Sequence, residues 1–132
     1  MAIQLSVSAR NARLDAIETT VGTSANLYIR TGSAPADCAT ADSGSLLATL
    51  ALPSDWMAAA SSGSKAKSGT WSVAASGTGT AAHFRIKDSG GSTCHIQGTV
   101  GTSGTDMIID NTSIASGQTI TVSTFTLTDA NA

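Results

Sequence analysis

Charge is scarce in this chain: 12% of its 132 residues are Asp, Glu, Lys or Arg, seven of them basic and nine acidic. Nucleic-acid binding draws most of its affinity from clustered Lys and Arg that neutralise phosphates, and no basic run occurs here, so no DNA or RNA partner is expected. Long apolar runs are missing too. Nothing approaches the ~20 residues of a membrane-spanning helix, and no basic segment followed by an apolar one opens the chain, so no membrane role and no export signal are expected. Two cysteines cannot make a disulfide-dense framework. Five aromatic residues must supply both a core and any carbohydrate-stacking platform, which is a short supply.

Ser and Thr fill the space that charge and aromatics leave, at about 29% of residues, with 13 Gly. Disorder pairs low hydrophobicity with high net charge; a 41% hydrophobic content and a net charge of -2 predict a folded chain. Its length suits one domain with one core.

The opening MAIQLSV alternates apolar and polar residues, so Ile3, Leu5 and Val7 share one edge of an extended arm. The period then changes. Val7, Leu14, Ile17 and Val21 follow at spacings of seven, three and four, one face of a helix from about Ser8, its N-cap, to Val21, with Gly22 as the stop.

Beyond Gly22 the pattern is that of strands between Gly-, Ser- and Asp-rich turns. ANLYIRTG places Leu27 and Ile29 on one face; LLATLAL places Leu46, Ala48, Leu50 and Leu52 on one parity. PSDWMAAASSG is compatible with a helical turn or with a short strand anchored by Trp56, and TWSVAAS alternates through Trp71, Val73 and Ala75. In AAHFRIKDSGGSTCHIQGTV, Phe84 and Ile86 facing Ile96 and Cys94 leave Ser89, Gly90 and Gly91 as a three-residue loop, with His83, Arg85 and Lys87 on an outward polar face. A short strand at DMIID and a turn at NTSIASG follow. In QTITVSTFTLT the apolar parity switches between Val122 and Phe125, which predicts a bulge near Ser123 or Thr124. Together these predict a mainly β fold: a two-sheet β-sandwich or jelly-roll-like barrel with an N-terminal extended arm and one amphipathic helix. Residues 1–22 are the arm and helix, 23–132 the sandwich.

Few residues invite chemistry. Cys94, His95 and His83 could in principle make an activated thiol, but strand neighbours point to opposite faces, so the reading is a core thiol and a surface imidazole. A metal held by His83 and His95 would need further ligands that the sequence does not offer. Asp37 with Asp42, and Asp106 with Asp110, read as turn and cap residues rather than calcium ligands or paired carboxylates. No phosphate-cradling loop and no GxSxG elbow is present. No enzyme, cofactor or metal site is therefore expected. Cys38 and Cys94 can form a disulfide only if the 34–45 loop packs over the hairpin.

The segments ARNARLDAIET with its closing Gly, LYIRTGSAPAD, LLATLALPSDWMAAAS, GTAAHFRIKDSGGSTCHIQGTVG and SGQTITVSTFTLTDANA resemble, in order and style, small structural proteins of tailed-bacteriophage virions, encoded near the major capsid protein. The resemblance spans nearly the whole chain. It implies a capsid cement or decoration protein on the outer surface of the head, made in the host cytoplasm. Its partners would be the major capsid protein and copies of itself, in a homo-oligomer such as a trimer. A tail, connector or fibre-base component, or a carbohydrate-binding adhesive module using Tyr28 and Trp56, are the alternatives. The residues expected to meet a partner are Ile3, Leu5 and Val7 on the arm, with Leu14 and Ile17 on the helix, packing on the home body or along a symmetry axis.

Overall fold

Ser6, two residues earlier than the sequence pattern indicates, caps the helix: its side chain accepts the backbone N–H of Ala9, and α1 runs Val7–Val21. Gly22 ends it with φ 96°, where a side chain would be strained, and returns its N–H to the Glu18 carbonyl. The computed structural model describes residues 3–129; the expected arm and domain limits at residues 1, 2 and 130–132 lie outside it. Residues 3–6 form no strand, and Val7 belongs to the helix rather than to an extended arm.

The remainder is β, as expected. The strands are β1 (Asn26–Thr31), β2 (Leu46–Ala51), β3 (Ser64–Ala66), β4 (Trp71–Ala74), β5 (Gly79–Lys87), β6 (Cys94–Gly101), β7 (Met107–Ile109), β8 (Ser113–Ile114) and β9 (Thr119–Thr128). They join along one hydrogen-bonded path, β2-β1-β5-β6-β7-β9-β3, with β4 also on β9 and β8 on β5. That path curls into a half-barrel; two separately bonded sheets are not seen among the described residues. All pairings are antiparallel except β6 with β7.

Inside the curl lies a core of Leu27, Ile29, Leu47, Leu50, Ile86, Val100, Met107, Ile109, Ile120 and Val122, crossed by a file of aromatics. Trp56, Trp71, Phe125 and Phe84 follow one another at centroid distances of 6.2, 5.7 and 5.4 Å, the last pair edge-to-face. Four of the five aromatic side chains are thus committed to packing. Trp56 enters on an extended segment, not a helical turn: Met57 bridges to Lys67, and the indole N–H of Trp56 donates to the Gly22 carbonyl at 2.9 Å.

Two irregularities set strand parity. In β9, Ile108 pairs with Thr124 but Ile109 with Val122, so Ser123 is the extra residue that lets Val122 and Phe125 both face inward. In β2, Ile29 pairs with Ala48 but Arg30 with Leu46. The bulge there buries Leu47 completely and leaves Leu46 37% exposed, correcting the uniform parity expected for that strand.

The β5–β6 hairpin keeps its expected inner face with a register two residues away. Phe84 pairs with Gly98 and Ile86 with Ile96, because a bulge at His95 takes up one residue and Asp88 holds a longer loop through the N–H groups of Ser92 and Thr93. Gly91 in that loop has φ 71°, as its turn requires.

Candidate functional site

The helix is docked by polar atoms more than by its apolar stripe. Asn11, Asp15 and Glu18, spaced four and three apart, accept the backbone N–H groups of Gly63, Ala60 and Met57 at 2.9–3.0 Å. One helix face therefore reads the backbone of an irregular segment running past it. Lys65 completes the joint from below: almost fully buried, it donates to Asp15 at 2.7 Å and the Ala58 carbonyl at 2.9 Å and pairs with Glu18 at 3.0 Å. Burial alone would lower the Lys65 pKa, but the hydrogen bonds it donates to Asp15 and Glu18 outweigh it and raise it. Asp15 is correspondingly lowered, first by its bond from Lys65. At the helix start, Arg10 and Arg13 reach Asp129.

This joint divides the predicted partner residues. Leu14 is 3% exposed and Ile17 half-buried against the core, the home-body packing that is one of the two arrangements expected for them. Ile3 is 83% and Val7 48% exposed, while Leu5 is half-buried. Val7 stands seven residues, about 10 Å of helix, before Leu14 on the same stripe. The stripe is therefore covered at Leu14 and open at Val7.

A second polar site lies on the hairpin face expected to meet solvent. His83 is fully buried and Arg85 is 2% exposed, because the 33–45 loop folds over them. Arg85 donates to Asp42 at 2.6 Å, to the Asp37 carbonyl at 3.0 Å and to Gln97 at 3.1 Å; Gln97 donates to the Pro35 carbonyl at 2.8 Å. Asp42 also takes a bond from Lys87 at 2.8 Å and lies 3.9 Å from Arg30. Its carboxyl is pulled down to about 2, by Lys87 first and then Arg85. Asp42 is thus an ionic hub, whereas Asp37 is the turn residue expected, held low by the Thr40 hydroxyl and N–H. Asp106 and Asp110 accept from Thr99 and Thr121, and Asn111 accepts the Ser113 N–H in a turn.

The bulge at His95 reverses the expected cysteine and histidine placement. Cys94, paired with Lys87, turns toward the covering loop, and its sulfur lies 2.8 Å from that of Cys38. His95 borders a shallow groove with Ile17, Thr20 and Val21 of the helix. His83 sits opposite Thr99, about four residues and ~13 Å along the strand from His95, its Nδ1 against the Gly32 carbonyl at 2.7 Å. Cys94, His95 and His83 therefore do not meet. Among the described residues, no three His, Cys, Asp or Glu side chains converge as a metal site, and no helix is long and apolar enough to cross a membrane.

Compared with protein-family models, with curated proteins and with solved structures, the chain matches none. The functional reading therefore rests on these surfaces. A cleft of about 440 Å³ opens between the helix C-terminus and Ser54–Asp55, lined by Glu18, Thr19, Gly22 and Thr23. It contains no aromatic platform. Trp56, one of two rings available for stacking on a sugar, is fully buried, and Lys87 lies 5.3 Å over the ring of Tyr28, the other. The Asn11–Asp15–Glu18 spacing was the available sequence signal for the docked helix face; the burial of Lys65 and Arg85 had none, since each depends on an irregular segment folding over it.

Proposed function

We propose that the chain is a non-enzymatic structural protein of a phage virion, a capsid cement or decoration protein on the outer head that bridges and braces major capsid protein subunits. The observation that carries the reading is the apolar overhang: Ile3 and Val7 project from the leading end of a helix that is bolted to the body. Val7 stands on an anchored helix, which suits bridging because little conformational freedom is lost there when a neighbour covers it. The Ser- and Thr-rich outer strand positions add a surface that hydrates well with little charge. The resemblance in segment order points to the virion, and the major capsid protein is the partner it implies.

The test is binding to capsids that lack the protein. Replacing the exposed Ile3 and Val7 by Gln leaves the Ser6 cap and the half-buried Leu5 in place and should reduce occupancy at least tenfold, with the free protein's melting temperature little changed. Undiminished occupancy would refute the bridging role of the overhang. Cryo-electron microscopy of particles should place hundreds of copies on the head; a few copies at one vertex or along a tail would instead make the chain a connector or tail component.

A further inference from the structure

We propose that Cys38 and Cys94 are the two halves of an oxidation-dependent cross-link that fastens the 33–45 loop onto the hairpin face. The inference is independent of the virion reading. No residue of 33–45 is buried, so the loop has no apolar anchor of its own. It is held by polar contacts on both sides of Cys38: the Pro35 and Asp37 carbonyls on Gln97 and Arg85 before it, and Asp42 on Arg85 and Lys87 after it. Those contacts bring the sulfurs to 2.8 Å, within about one ångström of a disulfide bond length. Cys94 is fixed by strand pairing to Lys87, so closure needs only a small adjustment of the loop.

The oxidant class is a small-molecule disulfide such as oxidised glutathione. Burial pushes the Cys94 thiol up to about 12, with the neighbouring Cys38 adding to the rise, so Cys94 is a poor first nucleophile. The Cys38 thiolate attacks one glutathione sulfur, forming a mixed disulfide and releasing one glutathione thiolate, which takes up a proton. Cys94 then gives up its proton and attacks the Cys38 sulfur, expelling the second glutathione. Two protein thiols become one disulfide, and one oxidised glutathione becomes two reduced molecules.

The experiment treats the reduced full-length chain with oxidised glutathione. Titratable thiols should fall from two to none, with a mass loss of about two hydrogens, no retained glutathione and no dimer; non-reducing peptide mapping should join the Cys38 and Cys94 fragments. Proteolysis by thermolysin within 33–45 should slow at least fivefold and recover with dithiothreitol. The Cys94→Ser variant should instead stop at the mixed disulfide on Cys38. Stable glutathione adducts on the wild-type chain, an intermolecular dimer, or a cleavage rate in 33–45 that ignores oxidation would each overturn the proposal.

Discussion

Replacing Asp42 by Asn removes one negative charge from a hub of three cations and changes the shape of the side chain hardly at all. The fall of its carboxyl from 3.8 to about 2 corresponds to about 2.4 kcal/mol, at about 1.4 kcal/mol for each tenfold change in proton affinity. The side chain keeps 31% exposure, and water screens part of that interaction, so about 1–2 kcal/mol is the realistic share. The substitution also takes the counter-charge from Arg85, which is 2% exposed at its side chain. Arg85 still has Gln97 and the Asp37 carbonyl as acceptors, so the loss stays below the 3–5 kcal/mol typical of a stranded buried ion. The net expectation for Asp42→Asn is about 2 kcal/mol, or a melting temperature lower by about 6–10 °C.

The pH dependence separates charge from shape. The folded-state carboxyl binds its proton more weakly than the unfolded one, so the Asp42 contribution is complete above about pH 5 and fades as pH falls through about 2. Urea unfolding of wild type and Asp42→Asn at pH 6, 4 and 2 should therefore give a gap of about 2 kcal/mol that narrows by half or more at the acid end. A gap under about 0.5 kcal/mol at pH 6, or one that stays constant to pH 2, would refute the ionic account of how the loop is held.

Lys65→Met should cost less than about 2 kcal/mol in urea unfolding, since Glu18 and Asp15 keep backbone donors and reach water. The double change Asp15→Asn with Glu18→Gln should cost more, because it leaves the buried ammonium with neutral acceptors only; the reverse order would reject this reading of the joint. Trp56→Phe should lose about 1–3 kcal/mol through the missing bond to the Gly22 carbonyl and the vacated volume, read as a shift in the urea midpoint. Leu47→Ala should cost about 2–5 kcal/mol and Leu46→Ala under about 1, and equal costs would contradict the β2 bulge.

Much of the fold was legible because apolar period and strand parity are local signals. The helix, the inner faces of β1 and β5, and the Ser123 bulge all follow from residue spacing alone. Errors arose where one inserted residue exchanges faces without an apolar signature. LLATLAL contains leucine at both 46 and 47, so hydrophobicity could not say which was buried. At His95 the bulge moved Cys94 to the other face, and no apolar switch in the sequence announced it. The outward reading of His83 and Arg85 failed for a different reason. Alternation says that two residues share a face, but whether that face meets water depends on a loop more than forty residues away in sequence. Of the residues named for a partner, Leu14 is buried and Ile17 half-buried against the core, whereas Ile3 is 83% and Val7 48% exposed.

The two irregular coverings, 57–63 on the helix and 33–45 on the hairpin, are held by one physical device. In each, side chains fixed on a regular element bond to backbone groups of the covering segment: Asn11, Asp15 and Glu18 to N–H groups, Arg85 and Gln97 to carbonyls. Apart from Met57, which is buried in the core, these segments are mostly Ala, Ser, Gly and Asp with little apolar area to bury, so hydrophobic transfer contributes little beyond that one anchor, whereas their backbone groups need partners once water is displaced. Long polar side chains from ordered neighbours answer both requirements. A composition rich in Ser, Thr and Gly is thus compatible with a fixed surface: the aromatic file holds the centre, and charge, although scarce, is placed where chain with few apolar residues has to be pinned. The same pinning fixes the helix that carries the exposed Val7, since that helix is tied to the body from Asn11 to Gly22.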